Sequence, residues 1–348
     1  MWKQYLYIEH NIQKVEDFVS YIFQDVLFHA CEYKGCELGD VVNGDMKNLL
    51  DAVKGCKIET QLKTLYDAFK KLDNHQMNML QTAFINNNQI DKICNKEIEP
   101  FRYKDLEKKY KDNQEWKDLL NKLKQFCIDM YTEHIKLKPF EERYGTMKSY
   151  YNALVKKDSM CHCCGIGTIL TEDNIPRDAF DHYLAKSIYP FISLNFHNLI
   201  PTCPHCNSSY KKEEDTLFEK TGKEEKRVKA FLPFRTGEEH TSITVKIQLS
   251  KPYNMHDVKG CGMTLDFKCK GKEEEVRAWL RVYHIEEQYK SYCYDLENVS
   301  IVNDILNQSD PKNLKALIQS MERLDCVKGY FLRAAFARAV CESLNIRI

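Results

Sequence analysis

Cys161-His162-Cys163-Cys164-Gly165 opens a stretch that closes with Cys203-Pro204-His205-Cys206-Asn207. Between them lie Asp181-His182-Tyr183-Leu184-Ala185-Lys186 and Asn198-Leu199-Ile200-Pro201. Each C-x-x-C pair sets two thiolates on one turn, where both can face a single ion at about 2.3 Å in a tetrahedral site. Four sulfurs, Cys161, Cys164, Cys203 and Cys206, complete that tetrahedron, so the expected zinc is structural. Cys163, His162 and His205 also stand beside the ion, and Cys163 is an alternative ligand. The two-residue gap and the following Gly165 favour Cys161 and Cys164. Zinc binding of this kind is worth roughly 10–16 kcal/mol in small peptides, enough to hold a loop-rich unit together. The 38 residues between the pairs exceed a zinc-finger spacer, so a whole structural element must lie inside the loop.

The surrounding composition bounds the rest. The chain has 348 residues, with 51 Lys+Arg against 51 Asp+Glu, 43 % hydrophobic and 29 % charged residues. This length favours two or three domains, and the balance fits a folded protein rather than a disordered one. No apolar run approaches the roughly 20 residues of a membrane helix. The start, Met1-Trp2-Lys3-Gln4-Tyr5, lacks the apolar core of a leader, so a cytoplasmic location is expected. Zero net charge excludes broad electrostatic adhesion to nucleic acid. Of fifteen cysteines, eleven are scattered singly (Cys31, Cys36, Cys56, Cys94, Cys127, Cys163, Cys261, Cys269, Cys293, Cys326 and Cys341) and read mostly as small buried hydrophobes.

Hydrophobic periodicity divides the chain into three parts. No proline precedes Pro100; Leu62, Leu65, Phe69 and Leu72, and then Trp116, Leu119, Leu120, Leu123, Phe126, Cys127 and Met130, recur at helical steps. Residues 1–145 therefore read as an all-helical domain without catalytic spacing, whose role, partner docking or regulation, is not written in its pattern. Residues 146–235 hold the cysteine pairs, and residues 236–348 form a small C-terminal unit. In the latter, Ile243, Val245, Ile247 and Leu249, and Met263, Leu265, Phe267 and Cys269, alternate as two half-buried strands. Val276, Trp279, Leu280 and Tyr283 mark a helix, and residues 330–344 another. The mixed-charge runs at 211–215 and 223–227 read as solvated helix or linker. The fold class is α+β, mostly helical.

The C-x-x-C-G, the Asp-His pair followed by Lys186 and Tyr189-Pro190, the Asn-Leu-x-Pro and the C-x-x-C-Asn resemble, in order and spacing, the HNH endonucleases of the His-Me finger group in their zinc-stapled ββα form. The resemblance covers residues 148 to 212, about a fifth of the chain. It implies His182 as the general base for water and Asp181 and Asn207 as oxygen ligands of a catalytic Mg²⁺ or Mn²⁺. It also implies Asn198 as the pin of the loop facing His182, and Lys186, Lys211 and Lys212 as nucleic-acid contacts. On a strand Asp181 would point away from His182, so a twist or bulge is expected to bring both to the site. Taken singly, His182 reads as a satisfied structural histidine and Asp181, Asn198 and Asn207 as caps or turn residues; His197 is structural. Two departures stand out: Ala185 replaces a common proline, and Tyr210 delays the usual lysine by one position.

Phe231-Leu232-Pro233-Phe234, Trp279 to Tyr283 and Tyr289 are similar to the tail of HNH proteins of bacterial anti-phage systems. Some of those pair with an ATPase, as in Septu-type and retron-linked systems. The implied activity is hydrolysis of DNA to 5′-phosphate and 3′-hydroxyl ends, with RNA or tRNA as the alternative substrate. Residues 146–235 carry 13 Lys+Arg against 11 Asp+Glu, a weak footprint for a stand-alone binder, which suggests help from other domains folded back onto it or from a partner protein. A non-catalytic zinc-stapled nucleic-acid-binding or scaffold module is the second reading, and a thiol redox sensor the third.

Overall fold

The structure is a computed structural model describing residues 2–33, 35–156, 158–171, 180–235, 237, 241–308, 310–324 and 327–348. Cys326 lies outside the described residues. Among the described residues, ten α-helices fill the N-terminal part: α1 (Val15–Tyr21), α2 (Leu38–Val41), α3 (Gly44–Ala52), α4 (Lys57–Phe69), α5 (Asn74–Asn87), α6 (Ile90–Cys94), α7 (Tyr103–Lys109), α8 (Gln114–Thr132), α9 (Lys138–Tyr144) and α10 (Met147–Val155). Five more end the chain: α11 (Glu273–Tyr283), α12 (Ile285–Tyr294), α13 (Leu296–Gln308), α14 (Pro311–Arg323) and α15 (Tyr330–Ser343). The strands are short: β1 (Tyr5–Leu6), β2 (Phe180–His182), β3 (Leu199–Pro201), β4 (Phe218–Thr221), β5 (Glu224–Arg227), β6 (Phe234–Arg235), β7 (Thr244–Leu249) and β8 (Met263–Lys268). They pair as β1–β6, β2–β3, β4–β5 and β7–β8. The fold is thus α+β and mostly helical, as the periodicity suggests. No helix among the described residues is long and apolar enough to cross a membrane.

Helix α8 shows how the sequence writes these elements. The Asn113 side chain accepts the amide of Trp116 at 3.0 Å, which caps the first turn. Trp116, Leu119, Leu120, Leu123, Phe126 and Met130 then fall on one buried face, each worth about 1.5–3 kcal/mol on burial. Opposite it, α4 is tied on by Lys57, whose ammonium reaches Asp129 at 2.8 Å, and by Gln61, which donates to the same carboxylate at 2.7 Å. Strands β7 and β8 pair antiparallel with Ile247 opposite Leu265 and Val245 opposite Phe267, so their alternating apolar residues share one face.

Two features depart from the periodicity reading. The run at 223–227 is not a helix or linker but β5, folded back on β4 through Gly222-Lys223, with Gly222 at φ +64°. Its charges find fixed partners: Glu225 accepts from Arg102 at 2.8 Å and from Lys104 at 2.6 Å. Second, the three segments share one apolar core. Strand β1 pairs in parallel with β6, and Trp2 stacks on Phe231 and leans on Tyr183 and Tyr283. Residues from both ends of the chain are thereby packed around the cysteine-rich middle.

Candidate functional site

The first cysteine turn is closed by backbone bonds from Cys161 N to Gly167 O (2.9 Å) and from Gly165 N to Cys161 O (2.8 Å). Gly165 takes the left-handed conformation, φ +70°, that this knuckle needs. Gly167 is required for another reason: a Cβ there would lie 2.5 Å from Cys203 Sγ and 3.3 Å from Cys164 Sγ. The second turn follows β3, with Asn207 N bonded to Cys203 O at 3.1 Å. The sulfurs of Cys161, Cys164, Cys203 and Cys206 all lie within 4.8 Å of one another, and all four residues are buried. Sulfurs around zinc at about 2.3 Å would stand about 3.8 Å apart; Cys164 and Cys203 are at 4.0 Å, roughly twice a disulfide length. The donor set fits zinc. Cys163 is not part of the cluster, and burial together with the charge of Cys161 pushes its thiol well up.

Backbone and side-chain donors point at the same sulfurs. Gly167 N approaches Cys164 Sγ at 3.2 Å, Cys203 N approaches Cys161 Sγ at 3.4 Å, and Gln288 Nε2 approaches Cys206 Sγ at 3.7 Å. Burial opposes ionisation of Cys161, but thiols donating from Cys163, Cys164, Cys203 and Cys206 hold it well below the usual thiol range. A divalent cation bound among the four sulfurs would offset the charge of all four as thiolates. The aromatic residues of the tail buttress this knuckle: Trp279 Nε1 donates to Cys163 O at 2.7 Å and Tyr289 OH to Cys164 O at 2.8 Å.

Inside the staple, β2 and β3 pair antiparallel with Phe180 opposite Pro201, Asp181 opposite Ile200 and His182 opposite Leu199. This register is regular, so the expected bulge is not there, and strand alternation sends Asp181 and His182 to opposite faces. On one face, His182 is 7 % exposed, with Nε2 at 3.0 Å from Ser193 O. A carbonyl only accepts, so this nitrogen carries the hydrogen and Nδ1 keeps the lone pair. Burial, with the charges of Lys186 and Lys211, lowers the imidazole well below its ordinary range, so it is neutral at neutral pH. Tyr131, from the last turn of α8, stands edge-on to the ring at 4.4 Å, and the Lys186 ammonium sits 5.0 Å over Tyr131. Ser193 Oγ donates to Cys127 O, which fastens this loop to α8.

Asn198 is fully buried and bonds only to backbone in the contacts it makes here. It accepts from Leu184 N at 2.7 Å and donates to Leu184 O at 2.9 Å and Ile192 O at 3.4 Å. It therefore joins the chain leaving β2 to the turn that presents Ser193 O to His182. Losing it would orphan backbone groups at about 1–3 kcal/mol each.

On the other face, Asp181 is 2 % exposed, and each of its oxygens already has a donor. Lys211 Nζ reaches Oδ1 at 2.6 Å and Tyr283 OH reaches Oδ2 at 3.1 Å. Lys211, 1 % exposed, also donates to His182 O at 2.6 Å. Lys211 is thus not a surface contact for phosphate, as the sequence reading had it; an internal carboxylate has drawn it inward. Residues His205–Lys211 form a π-helix, with Lys212 N bonded to Asn207 O at 3.0 Å. Asn207 is half-buried on this helix, and Lys212 is exposed at its end with φ +48°. As placed, Asp181 does not present an open oxygen to Mg²⁺ or Mn²⁺. His197 packs flat on Tyr7 at 4.1 Å, a structural placement.

Sequence reading missed Tyr131, Ser193 and Tyr283 as neighbours of the Asp-His pair. Tyr131 directly follows the apolar stripe of α8, and no spacing connects it to a residue 51 positions away. No family model, no curated protein and no solved structure matches the chain.

Proposed function

We propose that the chain is an HNH-type endonuclease that hydrolyses phosphodiester bonds. We further propose DNA as substrate, with 5′-phosphate and 3′-hydroxyl products, and a role as the effector of a bacterial anti-phage system under control of an ATPase partner. The observation that carries the reading is the zinc-compatible four-thiol staple around a two-stranded hairpin whose end holds a neutral histidine in one tautomer. A base must be unprotonated at working pH and must have its free nitrogen fixed in direction. Ser193 O takes the Nε2 hydrogen of His182, leaving Nδ1 to accept a proton from water. Asn198 keeps the two segments that flank the ring in place. Zinc bound by the four thiolates would supply the fold of this unit and leave no coordination position for chemistry.

The non-catalytic reading has one observation in its favour: the Asp181 carboxylate, expected to receive a divalent ion, is in an ion pair with Lys211. Cleavage decides between the two. Wild type and His182→Ala are incubated with plasmid, linear DNA and total RNA, with and without Mg²⁺ or Mn²⁺. Loss of cleavage of at least ~10²-fold in the variant is expected, the usual contribution of a general base. Equal behaviour in every tube, including with a candidate ATPase added, would make the chain a binding module.

A further inference from the structure

We infer that Lys211 is the resident cation of the β2–β3 hairpin: its ammonium fills the place beside Asp181 that a divalent ion would need, and makes Lys211 a positioning residue. The inference goes beyond the nuclease reading and stands on the placement of Asp181 alone. Three contacts define it. Lys211 Nζ donates to Asp181 Oδ1 and to His182 O, both at 2.6 Å, and Tyr283 OH closes Oδ2 at 3.1 Å. The lysine comes from the helix behind the staple and the tyrosine from α11, so three separate parts of the chain converge on one carboxylate. The ammonium ties a side chain of β2 to a carbonyl of the next residue, which fixes the strand directly at His182.

The chemistry of exchange argues against a metal at this point. Mg²⁺ keeps several waters at about 2.1 Å and needs room for them. Asp181 and Lys211 are 2 % and 1 % exposed. An ion taking Asp181 would also leave the Lys211 ammonium buried without its counter-charge. Removing one partner of a buried pair weakens binding by about 10²–10⁴-fold when expressed as an affinity. Lys211 is the last residue of the π-helix His205–Lys211, and from there its side chain reaches Asp181.

Binding of Mn²⁺ to the zinc-loaded full-length chain tests this without any need for cleavage. Free Mn²⁺ is followed by its electron paramagnetic resonance signal as protein is added. Wild type is expected to take up no Mn²⁺ through Asp181, and Asp181→Asn to behave as wild type does. Lys211→Ala is expected to gain one Mn²⁺ per chain, tighter by at least 100-fold, and Lys211→Ala/Asp181→Asn to lose it again. Wild type that binds one Mn²⁺ and loses it on Asp181→Asn would overturn the inference. So would Lys211→Ala that stays folded and gains no site, because the ammonium would then not occupy a cation position. Should Lys211→Ala not fold, the comparison of wild type with Asp181→Asn still decides. Absence of nuclease activity would count against the proposed function and leave these outcomes unaffected.

Discussion

Replacing Gly167 by alanine adds one carbon at the tightest point of the cysteine cluster. The new Cβ would lie 2.5 Å from Cys203 Sγ, 2.9 Å from Cys203 Cβ and 3.3 Å from Cys164 Sγ. An ordinary carbon–sulfur contact is near 3.5–4 Å, so Cys203 must retreat by about 1 Å. Zinc–ligand distances tolerate about 0.2 Å. A shift five times larger therefore removes Cys203 from the ion, and with it much of a binding energy of roughly 10–16 kcal/mol that a cysteine-rich unit draws on for folding. Total stabilities of about 5–15 kcal/mol leave no margin for such a loss. Zinc content by elemental analysis and thermal melting are the assays: about one zinc per chain in wild type, a fraction of that in Gly167→Ala, and a melting point lower by more than 10 °C. If Gly167→Ala kept its zinc and melted with wild type, the sulfurs would not be packed around an ion as described.

Cys203→Ser should cost the same zinc and unfold the middle of the chain, whereas Cys163→Ser, outside the cluster, should keep both metal and melting point. Tyr131→Ala should uncover His182: modification by diethyl pyrocarbonate, read by mass spectrometry, should rise about tenfold at His182 while the exposed His75 and His256 stay constant, and unchanged protection would mean that Tyr131 is not the cover. Glu16, which accepts from Phe196 N at 2.5 Å, is raised by burial from 4.5 to about 7. The folded state thus holds a proton that the unfolded chain releases, so this group lowers stability as pH rises from about 4.5 to 7 and adds nothing further above that. Glu16→Gln should match wild type at pH 4 and exceed it at pH 8 by at most about 3 kcal/mol in denaturant melts; a gain confined to acid pH would reverse the sign of the argument.

Much of the framework was legible because it is local. The cysteine spacing marks the four thiols that cluster without reference to any fold, and the stripes of α8 and the alternation of β7 and β8 follow from burial of one face. The placement of Asp181 was not legible. Its partners are 30 and 102 positions away, and Lys211 reaches it from a π-helix that no residue spacing announces. The charge run at 223–227 failed for a related reason. Alternating charges suit a solvated helix or an exposed strand equally, and the choice was made by Gly222 and by the distant Arg102 and Lys104. Trp279 and Tyr289 stood out in the sequence only through a likeness to a family's tail, and the packed chain reveals that they hold the carbonyls of the first knuckle.

The hairpin that carries His182 lies between the two cysteine pairs, and zinc bound by their sulfurs would hold it in place. X-ray absorption at the zinc edge of the purified chain measures that hold directly. Four sulfur scatterers at about 2.3 Å are expected, with no nitrogen or oxygen in the shell. A folded chain without zinc, or a shell that includes imidazole nitrogen from His162 or His205, would contradict the account.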